Sequence, residues 1–215
     1  MWLDYFDKIF LINLDKRTDR LERSTALLNE YRIPFTRWSA YSETDKGYFN
    51  LIMSMKMLFK HCLGNGYGKV LVFEDDVSFL VQPDTFHEIM NMCVKDLGVI
   101  NWQMFFLGLQ HPKDFLRWIT PNILPVEIGY STHAVAYNKE AMEYVVSQHI
   151  DEPIDNFFCR EFQKFNTSYC SYPMLCTQEA DYSDIGNSYT DWQPYLLPVF
   201  TQRVHPILSE RFKIK

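Results

Sequence analysis

A chain of 215 residues with 47% apolar and 16% aromatic side chains is long enough to bury a substantial core, and its length sits between one domain and two. The formal charge of −6, with basic residues dispersed rather than gathered into runs, argues against a nucleic-acid backbone as the main partner and leaves a small phosphate ligand open. No stretch approaches the roughly 18 apolar residues of a membrane span, so a single domain over residues 1–215 without a transmembrane segment is expected, its aromatic content permitting peripheral contact with a membrane surface.

The opening residues carry Asp4 and Asp7 ahead of the first apolar run and do not read as a secretory leader. Cys62, Cys93, Cys159, Cys170 and Cys176 form neither a C-x-x-C pair nor an even framework, which suggests reduced thiols and a cytoplasmic setting.

Residues 9–14 (IFLINL) read as a strand, followed by DKRTDRLER, in which Thr18 can cap a helix with Asp19 and Glu22 in its first turn. Leu21, Leu28 and Tyr31 give that helix an apolar stripe, and Pro34 ends it ahead of a strand at residues 35–38. A second helix carries Leu51, Ile52, Met55, Leu58, Phe59 and Cys62 at helical spacing, and GNGYG at residues 64–68 terminates it. In VLVFEDDV, residues 70–77, the first four residues form the β-branched-rich run of a strand buried on both faces, as in a parallel sheet.

Asp84 caps a helix with the stripe Phe86, Ile89, Met90, Cys93 and Leu97, and a strand at residues 103–107 follows. Residues 112–126 hold three prolines and read as a long functional loop or an antiparallel excursion. Residues 132–137 resume as a strand, Asn138 caps a helix bearing Met142, Val145 and Val146, and Pro153 opens a helix over residues 154–165. Alternating strands and helices imply an α/β fold with a mostly parallel sheet.

The acids that end VLVFEDDV raise the question of function. Two carboxylates about 4 Å apart repel by roughly 4 kcal/mol at an effective dielectric near 20, so Glu74, Asp75 and Asp76 need water or a cation beside them. Strand alternation puts Glu74 and Asp76 on one side and Asp75 on the other, a spacing that can grip one divalent ion and that also serves a solvated strand exit. Ligands of parallel sheets bind at the carboxyl ends of strands. Three such ends are polar: around Asn13, at the acidic cluster, and beyond Tyr137. With the strands parallel and adjacent, the loop carrying Arg17 and Arg20 faces the acids, an arrangement suited to a diphosphate bridged by a metal.

The blocks IFLINLDKRTDRLER, VLVFEDDV, STHAVAYNKEAMEYV, EPIDNFF and QEADYSDIG, in this order, resemble glycosyltransferase family 25, which contains lipooligosaccharide β-galactosyltransferases and collagen galactosyltransferases. The resemblance runs from residue 9 to about residue 185. It implies a GT-A nucleotide-diphospho-sugar transferase fold, with a UDP-sugar as donor, a glycan or protein hydroxyl as acceptor, and Glu74-x-Asp76 in the place of the D-x-D motif. In that place the last acid binds Mn²⁺ or Mg²⁺ and the first lies near the donor's ribose or sugar. The family's Ser-His pair on the preceding helix stands here as Ser54-Met55, so a donor or acceptor contact is altered.

Asp76, with Glu74, is the metal-ligand candidate, and Asp75 stands behind them. Asn13, Arg17 and Arg20 are candidates for nucleotide and diphosphate contact, with a helix-capping loop of solvated charges as the other reading. His133, which the family block also carries, is a donor-site or acceptor-site candidate, although a lone histidine in a strand is more often a hydrogen-bonded core group. Family members invert the sugar carbon, which calls for a carboxylate base. Asp155 is the first candidate, with Glu179 and Asp184 as rivals; Gln178, Ser183 and Asp184 match the family's late polar block. Tyr182, Tyr189, Trp192 and Tyr195 can stack on a sugar or pack against the domain. Two other functions use the same residues: a non-catalytic sugar-nucleotide or glycan-binding module, which the Met55 departure favours, and a receiver-like signalling domain with its acidic pair in VLVFEDDV. The latter lacks an aspartate ending a later parallel strand, since Asp114 follows Pro112 in a helix-like segment.

Overall fold

The computed structural model describes residues 1–113, 120–165, 167–186 and 188–191. Asp114, Trp192 and Tyr195 lie outside them. The elements, in chain order, are β1 (Lys8–Asn13), α1 (Thr18–Glu30), β2 (Thr36–Ser39), α2 (Gly47–Gly64), β3 (Lys69–Glu74), β4 (Val77–Phe79), α3 (Pro83–Leu97), β5 (Met104–Phe106), β6 (Gln110–Lys113), β7 (Ile123–Pro125), β8 (Ile128–Tyr130), β9 (Ala134–Asn138), α4 (Lys139–Ser147), α5 (Ile154–Glu161), β10 (Ser168–Ser171), β11 (Cys176–Gln178), β12 (Asp181–Ser183) and β13 (Ser188–Thr190). Seven strands form one sheet in the order β2-β1-β3-β9-β5-β10-β7. Strands β2, β1, β3, β5 and β10 share one direction, and β9 and β7 oppose it.

Residue alternation along the central strands explains why both faces carry helices. Val70 and Val72 enter the core beneath α2, α4 and α5, while Leu71 and Phe73 enter the other core, beneath α1 and α3. Phe10 and Ile12 of β1 divide from Ile9 and Leu11 in the same way, as do Val135 and Tyr137 of β9 from Ala134 and Ala136. Each fully buried side chain of this size contributes about 1.5–3 kcal/mol, so the double-faced strands anchor the three-layer architecture. The mixed sheet rules out a receiver-like domain, whose strands are all parallel.

Several expectations change in detail. Thr18 is the first helical residue of α1, with Arg17 at its N-cap, and Gln82 and Pro83 precede Asp84, so neither Thr18 nor Asp84 is a cap. The buried side of α1 holds Arg20, Ser24 and Leu28 rather than an apolar stripe alone. Helix α5 stops at Glu161, ahead of a separate short turn at Gln163–Phe165. The proline-rich segment is an antiparallel excursion where it is described, since β7 pairs antiparallel with β10. Asn138 does cap α4, accepting the Ala141 N–H at 2.9 Å.

The direction of β9 matters most. Because it opposes β3, pairing Phe73 with Ala134, the residues beyond Tyr137 lie at the far end of the sheet from the acids. Its leading residues, Ser131 to His133, arrive beside Glu74 instead, and the Glu74 N–H donates to the His133 carbonyl at 2.9 Å.

Gly108, just past β5, sits where the chain after β10 crosses: the Leu107 carbonyl accepts the N–H groups of Leu175 at 2.7 Å and Cys176 at 3.0 Å. A Cβ at Gly108 would stand 1.9 Å from the Cys176 carbonyl oxygen. Gly108→Ala is therefore expected to destabilise the protein by about 3 kcal/mol, the upper end of ordinary overpacking costs, measured as a shift in urea midpoint without a change in slope.

Candidate active site

Strands β1 and β3 end side by side, with Ile12 opposite Glu74, and β2 ends with Ser39 opposite Asn13. Beyond these carboxyl ends lies a cavity of about 420 Å³, walled by Asn13, Arg20, the segment from Ala40 to Ser54, the three acids, and Ser183 to Ile185. Asn13, Arg20, Ser54, Glu74, Asp75, Asp76 and Asp184 thus meet at one surface, whereas Arg17, His133, Asp155, Gln178 and Glu179 stand around it.

Strict strand alternation does not describe the acids, because β3 ends at Glu74 and the chain turns at Asp75. All three carboxylates border the cavity, and Asp75 and Asp76 share one cation. Arg20 Nη1 donates to Asp75 Oδ1 at 3.0 Å and lies 3.6 Å from Asp76 Oδ2. Arg20 also donates from Nε to Asp181 at 3.2 Å and from Nη2 to the Tyr182 carbonyl at 2.9 Å. Its fork is therefore engaged by protein acceptors. Arg17 is engaged in the same way, by Asp184 at 2.6 Å, Asp19 at 2.9 Å and Asp181 at 3.3 Å. Asn13 is a keystone, donating to Asp75 Oδ2 at 2.7 Å and to the Arg17 carbonyl at 3.0 Å while its Oδ1 accepts from Arg37. Ser54 donates to the Asn50 carbonyl at 2.7 Å and accepts the Tyr41 N–H at 2.8 Å, fixing the cavity's far wall to α2.

Glu74 accepts from the Thr132 hydroxyl and, among the described residues, has no cation paired with it. Burial pushes its carboxyl up, with repulsion from Asp76 adding to the rise, to about 8. Burial also raises Asp76, against the pull of Arg20. An acid that holds its proton more tightly in the folded than in the unfolded state contributes stability below the unfolded value and loses it as pH rises through the folded value. For Glu74 that window runs from 4.5 to about 8. Glu74→Gln is accordingly expected to melt at a higher temperature than wild type at pH 8 without divalent cations, and at the same temperature at pH 4. Calorimetry at the two pH values checks this.

The residues present suit a hard divalent cation. Asp76 Oδ1 is buried with no hydrogen-bond partner, while Oδ2 accepts from Gln178 at 3.3 Å. Among the described residues no group of three or more His, Cys, Asp or Glu side chains is arranged to hold a metal unaided. A cation at Glu74 and Asp76 would complete its oxygen shell with water and substrate phosphate, as Mg²⁺ commonly does.

The three base candidates separate by environment. Glu179 is paired with Arg23 at 2.7 Å. Asp184, despite its burial, lies below the usual carboxylate range because Lys16 and Arg17 hold it. Among the described residues Asp155 accepts the Ser131 N–H alone, at 3.0 Å, and burial raises its carboxyl. Asp155 lies close enough to Glu74 for the two charges to interact. His133 is fully buried behind the site, pushed down to about 4 by burial, and bonded through Nδ1 to the Ser131 hydroxyl. It is a core group of the site's back wall rather than part of the cavity's lining.

Sequence reasoning passed over Thr132, Ser131, Arg37 and Asp181. Each is polar and lies within or next to a quoted block or strand, and its role appears only when the sheet places it beside a partner far along the chain, as Arg20 and Asp181 are 161 residues apart.

The sheet and its site define a GT-A-like nucleotidyl- and glycosyltransferase fold. Among solved structures, a glycosyltransferase involved in the glycosylation of the major capsid of PBCV-1 is similar over 84% of this chain and 95% of that one, with a TM-score of 0.51 and 12% identity. A protein of STIV (TM-score 0.43, 12% identity, 76% and 80% coverage) and an apo UDP-glucose pyrophosphorylase (0.41, 10%, 76% and 72%) are more distant. No family model and no curated protein matches the chain. Among the described residues, no helix is long and apolar enough to cross a membrane.

Proposed function

We propose that this chain is a metal-dependent, inverting glycosyltransferase of the family 25 type, moving a hexose, galactose or glucose, from a UDP-sugar to a glycan or protein hydroxyl. The observation that carries this reading is the convergence of Glu74, Asp75 and Asp76 on one cavity, with a buried oxygen of Asp76 lacking a partner. Glu74 and Asp76 would hold Mn²⁺ or Mg²⁺, which when bound neutralises charge developing on the departing diphosphate. Asn13 orients Asp75 and the β1 loop, and Arg20 sets the acids against α1. Asp155, raised and without a cation partner among the described residues, is the base that takes the acceptor proton, because Glu179 and Asp184 are held as ion pairs.

The non-catalytic reading drew on Met55 in place of the family's histidine. Met55 is 1% exposed and belongs to the core beneath α2, whereas its neighbour Ser54 borders the cavity, so this exchange removes nothing from the cavity wall. Incubation with a panel of UDP-sugars and Mn²⁺ is expected to give slow donor hydrolysis without acceptor and faster turnover with a matching sugar acceptor. Binding of donor with neither reaction would leave a binding module.

A further inference from the structure

Ser131 has φ 94°, a left-handed conformation that costs a serine and suits glycine. Such a residue persists where its side chain is needed. The Ser131 hydroxyl donates to Gln178 Oε1 at 2.9 Å, and the same Oε1 accepts from Gln110 at 2.6 Å. Gln178 Nε2 donates to Asp76 Oδ2 at 3.3 Å. A hydroxyl has one proton, so with that proton on Gln178, Ser131 Oγ accepts from His133 Nδ1–H. That order leaves His133 Nε2 as a bare acceptor. Nε2 is buried with no hydrogen bond of acceptable geometry among the described residues, and the neighbouring Cys176 carbonyl, itself an acceptor, does not favour this tautomer. The order therefore rests on Gln178 Oε1, which can only accept and is reached by both Gln110 Nε2 and the Ser131 hydroxyl.

We propose that His133, Ser131 and Gln178 form a directional hydrogen-bond relay that positions Asp76, tethering Oδ2 so that Oδ1 is presented to a divalent cation. The proposal rests on the reading of Asp76 as a metal ligand. Every donor in the relay points toward the carboxylate, so the relay is matched to an ionised Asp76 and resists rotation of the Gln178 amide, whose oxygen is fixed by two donors. Ser131 also donates its backbone N–H to Asp155, which ties the same strained residue to the proposed base. These three are positioning residues, and none needs to touch the substrate.

The test is Mn²⁺ affinity in the presence of saturating UDP, read from the electron paramagnetic resonance of free Mn²⁺, for wild type, Ser131→Gly and Gln178→Leu. Ser131→Gly keeps the backbone N–H and relieves the left-handed strain, which offsets part of the cost of leaving the buried His133 Nδ1–H without its acceptor. The variant is therefore expected to fold with a melting temperature within several degrees of wild type. Its Mn²⁺ dissociation constant, and that of Gln178→Leu, are expected to rise about 10- to 100-fold, the usual effect of removing a group that orients a metal ligand. UDP affinity measured without metal is expected to stay within about threefold. Wild-type Mn²⁺ binding together with unaltered affinity in a folded Ser131→Gly overturns the relay alone. Absence of Mn²⁺ binding by wild type overturns the metal reading and the relay together.

Discussion

Asp76→Asn is expected to lower turnover of a UDP-sugar by about 1,000-fold, the rate equivalent of about 4 kcal/mol of charge stabilisation lost with the cation. The substitution keeps the side chain's shape and removes one anion from a cluster in which Glu74, Asp75 and Asp76 face one another with Arg20 as the near cation. The fold should therefore not suffer. Burial and a like-charged neighbour already lift the Asp76 carboxyl, so the amide is expected to leave the melting temperature unchanged or raised near pH 8 in the absence of metal. Calorimetric titration of UDP with and without Mn²⁺ separates the outcomes. Metal-dependent binding that disappears in Asp76→Asn places the cation at the end of β3, and metal-dependent binding that survives removes Asp76 as its ligand.

Arg20→Met is the substitution with the largest expected effect on stability. The side chains of Arg20 and Asp75 are 9% and 10% exposed, and removing the cation leaves Asp75 beside Asp76 without its charge partner. Breaking a buried pair in this manner costs about 3–5 kcal/mol, which for a chain of this length lowers the melting temperature by about 10 °C. In an Asp75→Asn background the same change should cost markedly less, as expected for groups that share a network. The substitution also tests the expectation that Arg20 grips the diphosphate. Its donors are engaged by Asp75, Asp181 and the Tyr182 carbonyl, so UDP affinity measured below the unfolding range should fall modestly. Collapse of UDP binding with an unchanged melting temperature would return Arg20 to the role of phosphate ligand.

Periodicity made the three-layer fold legible: the α3 stripe of Phe86, Ile89, Met90, Cys93 and Leu97 is the set that the structure buries, and the double-faced burial of β3 follows from an unbroken apolar run. Strand direction was not legible, because side-chain alternation is the same for a parallel and an antiparallel neighbour. The reversal of β9 therefore exchanged the residues beyond Tyr137 for Thr132 and His133 at the site. The acidic cluster was visible as composition, and its convergence on Arg20 was foreshadowed by the strand-loop-helix order. What stayed hidden was pairing. Arg17 and Arg20 look like anion ligands in isolation, and only the return of β12 shows that Asp181 and Asp184 occupy them.

The hairpin of β12 and β13 also gives the site a birth order. Arg17 meets Asp184 across 167 residues, and Asp76 meets Gln178 across 102. Contacts this distant close long loops and form late, after the local helices and the β1–β3 pair. On a ribosome working from the N-terminus, β3 and α1 emerge with their charges long before the segment that completes the cavity wall. The nascent chain thus carries its acids, already beside Asn13 and Arg20, for the 102 residues that separate Asp76 from the Gln178 amide that tethers it. Under the proposed function, competence to bind the donor arrives late in folding, so a refolding assay should recover helical signal well before it recovers donor binding.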